Sequence, residues 1–475
     1  VKVADTQYMR IQDNTNKSVS VLSNYFILLS SALNKLGKSI EVKTIEKLSI
    51  EIVRAMGSEL RDYHKPEHSL DVSLEQSPIG TIAAIFHDIV YVQVDPTWRT
   101  NFKSHIENFL PDENFKLNTK AGFLSEKKDI RKSILVLFGM ENTEEVLPGK
   151  GLNELLSALV MEHMLSQYLT KKEILSIAAC IESTIPFRKV DADGKTPSDR
   201  LSVRLHRAGV LIDSDFNEPE KANIVTWCRG IVAKDLSSFA AVRLNTFISN
   251  TWNVMNENNP ALRNAYFYIS DYRKAVYGVI PFLNSLDPDQ MFWDAASKEQ
   301  TLGRPLAEHA KRNLKLGCEY LKAVGVSLSL IEAIAIETGG DMPFEALVGS
   351  TRKSREHSPL SIGAFLPSKD FRVFSSDEKD VFLLLKNGRE FRARFDRKES
   401  PLGAYLYQNL TYDQFNVIYQ QAMQFHLGKL GSINFINSFS ESVIADVLTA
   451  LARTCPLRSL QLIELLTKLE ADKVA

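Results

Sequence analysis

Tyr63-His64-Lys65-Pro66-Glu67-His68-Ser69-Leu70-Asp71-Val72, followed by Ile82-Ala83-Ala84-Ile85-Phe86-His87-Asp88, is the part of this sequence whose reading decides the fold. His64 and His68 are four positions apart, a spacing that puts both imidazoles on one face of a helix. The second stretch ends an apolar run, which must be buried, on an adjacent imidazole and carboxylate. Carrying a His and an Asp into a core requires a partner that offsets their desolvation. Two histidines and a carboxylate point to a divalent cation as that partner.

Outward from this stretch the spacing of apolar residues is helical. Leu48, Ile52, Val53 and Met56 mark a helix within residues 19–63, with Gly57-Ser58 read as a mild interruption. Residues 152–169 and 172–185 are further helices, the second ended by Pro186, which disfavours a helical residue before it. A polar loop over residues 191–197 precedes helical patterns at 223–239 and 243–255, and helices continue to about residue 335. The segment 349–359, with Lys353, Arg355 and His357, reads as a linker. Beyond it, two apolar runs, 381–385 and 391–395, flank Asn387-Gly388, a dipeptide suited to a two-residue hairpin turn. The expected organisation is therefore an N-terminal helical segment (1–50), a helical domain (51–350) and a small α+β domain (360–475) of unknown role.

Composition narrows the function classes. The chain has 475 residues, 44% hydrophobic and 24% charged, with a net charge of −1. This is a globular makeup, too long for one ordinary core, and it lacks the basic excess of a generic nucleic-acid surface. Cys180, Cys228, Cys318 and Cys455 form no CxxC pair, so neither a zinc ribbon nor a disulfide scaffold is expected. No apolar run approaches the ~20 residues of a membrane helix, and residues 1–18 lack the order of a signal peptide. A cytoplasmic protein without a membrane partner is the expectation.

Tyr63-His64, His68, Asp71-Val72 and Phe86-His87-Asp88 together resemble the HD superfamily of metal-dependent phosphohydrolases. The first segment is similar to the YHNxxHxxDV motif of cyclic-nucleotide phosphodiesterases, with Lys65 in place of the Asn. The second, FHDIVY, is similar to a form found in bacterial HD hydrolases. Ala233-Lys234-Asp235-Leu236-Ser237-Ser238 resembles the segment that supplies a late Asp ligand, and Asp213 and Asp215 are rivals for that place. The resemblance covers about residues 50–260 and implies a mostly α fold with an HD-type catalytic domain. It also implies a divalent metal (Mn, Fe, Mg or Zn) on His68, His87, Asp88 and Asp235, with His64 as general acid. A phosphate ester, of a nucleotide or cyclic nucleotide, is the substrate it implies. The chain departs from the phosphodiesterases at Tyr91, where they have the second His of HDxxH, and in showing no clear base clamp.

The donor set agrees with such chemistry, since two imidazoles and two carboxylates neutralise a dication and leave positions for water. Arg188 is a candidate phosphate clamp, although a structural ion pair is equally expected of it. A nucleoside triphosphohydrolase, and an inactive HD-fold metal-binding sensor or scaffold, are the competing readings. Glu162-His163 reads as a solvent-facing pair, and His105, His206, His309, His357 and His426 read as ordinary. Lys386, Arg389, Arg392, Arg394 and Arg397 make the expected hairpin basic, which suits a solvated face or an anionic partner.

Overall fold

The computed structural model describes residues 20–106, 129–141, 150–264, 266–292, 303–349, 361–368 and 372–471. The chain divides into two compact units, Val1–Asp235 and Leu236–Ala475. Helices dominate both; among the described residues the only β feature is an isolated bridge between Tyr268 and Pro343. No helix of the described residues is long and apolar enough to cross a membrane.

The first unit opens with α1 (Val21–Lys35) and α2 (Val42–Met56). Gly57 ends α2, so Gly57-Ser58 is a full stop and not the mild interruption expected. Glycine is a poor helix former, and Ser58 Oγ takes the Leu60 N–H at 3.3 Å, drawing the backbone out of the helical pattern. The next helix, α3 (Pro66–Ser73), starts with proline at its first turn and with Lys65 extended at φ −83°, ψ 168°. His64 thus lies before the helix, where a common helix for His64 and His68 was expected. Pro66 is the physical reason, because its ring forces the preceding residue out of the helical region.

Ser77 then caps α4 (Pro78–Phe86), its Oγ accepting the Gly80 N–H at 3.0 Å. Every α4 residue from Ile79 to Phe86 is buried. The unit continues with α5 (Trp98–Ile106), α6 (Ile130–Phe138), α7 (Leu152–Leu165), α8 (Lys171–Ser183), α9 (Pro197–Leu211) and α10 (Glu218–Asp235). Helix α4 packs against α1, α3, α8 and α10, which makes it the centre of this core. Near one end of α10, Gln76 Nε2 donates to Gly230 O at 3.3 Å and ties the α3–α4 connection to that helix. A Cβ on Gly230 would lie 3.0 Å from Gln76 Oε1, so a side chain there would have to shift the Gln76 amide.

The second unit contains α11 (Leu244–Asn258), α12 (Ile269–Ser285), the short α13 (Pro288–Met291), α14 (Gly303–Glu337) and α15 (Phe344–Val348). It closes with α16 (Ser376–Asn387), α17 (Pro401–Asn409), α18 (Tyr412–His426), α19 (Ser432–Ile436), α20 (Glu441–Thr454) and α21 (Ser459–Ala471). The expected hairpin is absent: residues 381–385 belong to α16, and 389–399 form no strand. Ser375 and Glu378 make a reciprocal capping box, and Gly388, at φ +88°, stops the helix. Asn387-Gly388 is therefore a helix terminus and not a hairpin turn.

The expected boundary near residue 355 is likewise displaced to 235/236. Phe382, Leu385, Phe395 and Leu448 share one core cluster with Trp252, Tyr272 and Tyr320, so the residues on either side of 355 fold together. The expected linker at 349–359 lies outside the described residues, apart from Gly349. Of the basic side chains expected on the hairpin, Arg389 is buried, hydrogen-bonded to Tyr320 Oη and Asp396 Oδ2 at 3.3 Å each.

Candidate metal centre

Three helices deliver the chemistry-bearing side chains of the first unit. His68 comes from α3, His87 from the C-cap of α4, Asp88 from the next residue, and Asp235 from the last residue of α10. His68 Nε2 lies 3.0 Å from Asp235 Oδ1 and 3.7 Å from Asp88 Oδ2. His87 Nε2 lies 3.0 Å from Asp88 Oδ2 and 3.6 Å from Asp235 Oδ1. One ligand atom each from His68, His87 and Asp235 falls within a span of 4.8 Å. Side-chain exposures of 2% for His87 and 18% for Asp235 place the group at a core edge that solvent reaches from one side.

The hydrogen bonding of His87 bears on what this group can hold. Its Nδ1 sits 2.8 Å from Ala84 O, a bond that needs the proton on Nδ1 and leaves Nε2 with a lone pair in the neutral ring. Nε2 is buried and makes no hydrogen bond, although Asp88 Oδ2 lies 3.0 Å away. A lone pair directed at two carboxylates is unfavourable unless a proton or a cation lies between them. Burial alone would lower the His87 pKa, but Asp88 and Asp235 overcome it and hold the ring well above its ordinary range. Burial would raise both carboxyls; the facing imidazoles instead hold Asp88 far below the usual carboxylate range and Asp235 at about 2. Without a cation, a proton on the imidazoles balances the carboxylates, and a small dication could take the same place with His68, His87, Asp88 and Asp235 around it.

His64 is beside the group, its ring centroid 5.8 Å from that of His68 and 4.6 Å from that of Tyr91. Tyr63 packs against both rings, 4.7 Å from His68 and 4.9 Å from His64 between centroids. Helix α3 is itself anchored by Tyr25, whose hydroxyl donates to Pro66 O at 3.0 Å and contacts Ser69 Oγ.

The remaining candidates separate clearly. Asp235 joins the histidines, whereas Asp215 pairs with exposed His206 at 2.9 Å and Asp213 is a left-handed residue in the turn after α9. Arg188 is bound to the buried carboxylate of Glu182, with Nη2 also donating to Glu182 O at 3.0 Å. That ion pair, shared with Arg204, is the structural role that was the alternative to a phosphate clamp. Glu162 pairs with Arg131 at 2.9 Å and is buried, where a solvent-facing side chain was expected.

Two residues escaped sequence reasoning. Arg61 is wholly buried and donates to Asp88 O at 2.6 Å and Ile89 O at 3.2 Å. Glu154, on α7, has a buried Oε2 that makes no hydrogen bond. Burial pushes its carboxyl up to about 7, with Asp88 and Asp235 adding to the rise and His87 opposing it. Neither lies in a recognisable pattern, and each owes its place to tertiary packing.

Compared with known proteins, the chain matches no family model, no curated protein and no solved structure.

Proposed function

We propose that the chain is a metal-dependent phosphohydrolase acting on a phosphate ester of the nucleotide class. The observation that carries this reading is the convergence of two imidazole Nε2 atoms on two carboxylates while His87 Nδ1 is committed to Ala84 O. When bound there, a divalent cation of the Mn, Fe, Mg or Zn type would supply water activation near neutral pH and neutralisation of phosphoryl charge. His68, His87, Asp88 and Asp235 would hold it, and the Ala84 carbonyl fixes the ring of His87 so that Nε2 faces inward.

His64 supports catalysis over a purely structural site. Its imidazole lies beside His68 without being one of the three side chains, His68, His87 and Asp235, whose ligand atoms cluster most tightly, a place suited to a proton donor to the leaving oxygen. Tyr91 packs against the same imidazole edge-on, 4.6 Å between ring centroids.

The test is metal analysis of the purified protein followed by a nucleotide panel with Mn²⁺ and Fe²⁺. Hydrolysis that disappears with chelator and returns with metal is the expected result. Release of a nucleoside monophosphate would mark a phosphodiesterase, and release of phosphate or tripolyphosphate a nucleotidase or triphosphohydrolase. A protein that binds metal yet turns over no member of the panel would refute the enzymatic reading in favour of a sensor.

A further inference from the structure

We propose that Arg61 is a positioning residue that locks the proton donor His64 to the metal ligand Asp88; the role rests on the phosphohydrolase reading above. A single guanidinium nitrogen, Nη1, donates to Asp88 O at 2.6 Å and to His64 O at 3.3 Å. Nη2 donates to Ile89 O at 3.2 Å. The segment before α3 and the segment after α4 are thus joined main chain to main chain through one side chain.

A second hold acts on the imidazole. The Arg61 guanidinium carbon lies 5.7 Å from the Tyr91 ring centroid, and that ring meets His64 at 4.6 Å with a 69° angle between planes. Arg61 therefore supports His64 twice, at its carbonyl and through the aromatic ring against which its imidazole rests. Tyr91 stands where the phosphodiesterase motif has a histidine, so in this chain that position braces the proton donor.

The charge argues for a specific purpose. Arg61 is 0% exposed, and its Nη2 lies 3.9 Å from Asp95 Oδ2. Burying a cation is costly even with a counter-charge at that distance, and a cap on the end of α4 alone could be made by a smaller group. The planar fork of arginine reaches carbonyls on two segments at once, which the single ammonium of lysine does not.

Arg61→Lys keeps the buried charge while removing the fork, and Tyr91→Leu keeps the fork while removing the aromatic brace. The first readout is the ring-proton NMR resonance of His64 in metal-free protein at one fixed pH. Both variants are expected to move it toward the position of a solvent-exposed histidine. The second readout is the ratio of turnover on a nucleotide ester to turnover on its nitrophenyl analogue, whose leaving group needs no proton. Arg61→Lys is expected to lower that ratio by roughly 10- to 100-fold, as for a misplaced catalytic group, with metal content unchanged and with no further loss in a His64→Ala background.

An unmoved His64 resonance, equal losses on the two esters, or metal loss in step with activity would overturn the proposal. If the unsubstituted protein hydrolyses neither ester, the phosphohydrolase reading fails by itself, and the His64 resonance still decides whether Arg61 holds that residue. If Arg61→Lys does not fold, the Tyr91→Leu resonance decides the same point.

Discussion

Glu154→Gln should stabilise the metal-free first unit at alkaline pH and change nothing in acid. Glu154 belongs to the first turn of α7, between Asn153 and Ser157, whose side chains accept the Val92 and Val90 N–H groups at 3.0 and 3.2 Å. Its carboxyl is buried, with one oxygen lacking a hydrogen bond, and its pKa rises from 4.5 to about 7. A carboxyl with a folded pKa above its unfolded value favours the folded state most when protonated. Stability is therefore fully present below about 4.5 and declines as pH rises to about 7, beyond which the loss is constant. At about 1.4 kcal/mol for each tenfold change in proton affinity, that rise is worth up to about 3 kcal/mol. A glutamine of the same shape carries no charge to desolvate and should recover most of it at pH 8.

The assay is denaturant unfolding at several pH values, with amide exchange in α4 and α7 reporting on the first unit. Chelator must be present, because a cation beside Asp88 and Asp235 would itself pull the Glu154 pKa down. Equal stability of the two proteins at pH 8, or an advantage of the variant that grows toward acid, would refute the reasoning.

Three further outcomes are expected. His64→Ala should leave metal binding intact and slow hydrolysis of a nucleotide by roughly 10²–10⁴-fold, the range for loss of a positioned acid, with a much smaller effect on a nitrophenyl ester. Asp235→Ala should lower metal occupancy, measured by elemental analysis, whereas Asp215→Ala should not, since Asp215 faces exposed His206. Gly388→Ala should destabilise the second unit by about 1–3 kcal/mol in thermal unfolding, because its φ is +88° and a Cβ would come within 2.7 Å of Lys398.

How much of this was legible in the sequence depended on whether the signal was local. His68, His87 and Asp88 announce themselves by spacing and by the apolar run that buries them. Asp235 was reachable only through the likeness of its segment to a known motif, since it comes 167 positions after His68 and meets it only by the crossing of α10 over α3. The helix expected to carry both His64 and His68 failed on one residue, Pro66, although the two rings remain neighbours without it. The expected hairpin failed because Asn-Gly suits a helix stop as well as a turn, and the Ser375–Glu378 capping box settles which one it is. Arg61 and Glu154 carry charges whose burial depends on packing from distant segments, and nothing local predicts it.

The most direct measurement is the metal stoichiometry of the chelator-treated protein retitrated with Mn²⁺, alongside His87→Ala at matched helical content. His87 provides the inward-facing Nε2 whose other ring nitrogen is taken by Ala84 O, so its loss removes a donor without an alternative nearby on α4. One tightly bound ion per chain in the unsubstituted protein, with occupancy lost in His87→Ala, is the expected result. Failure of the unsubstituted protein to bind an ion, or equal binding by the two proteins, would contradict the account.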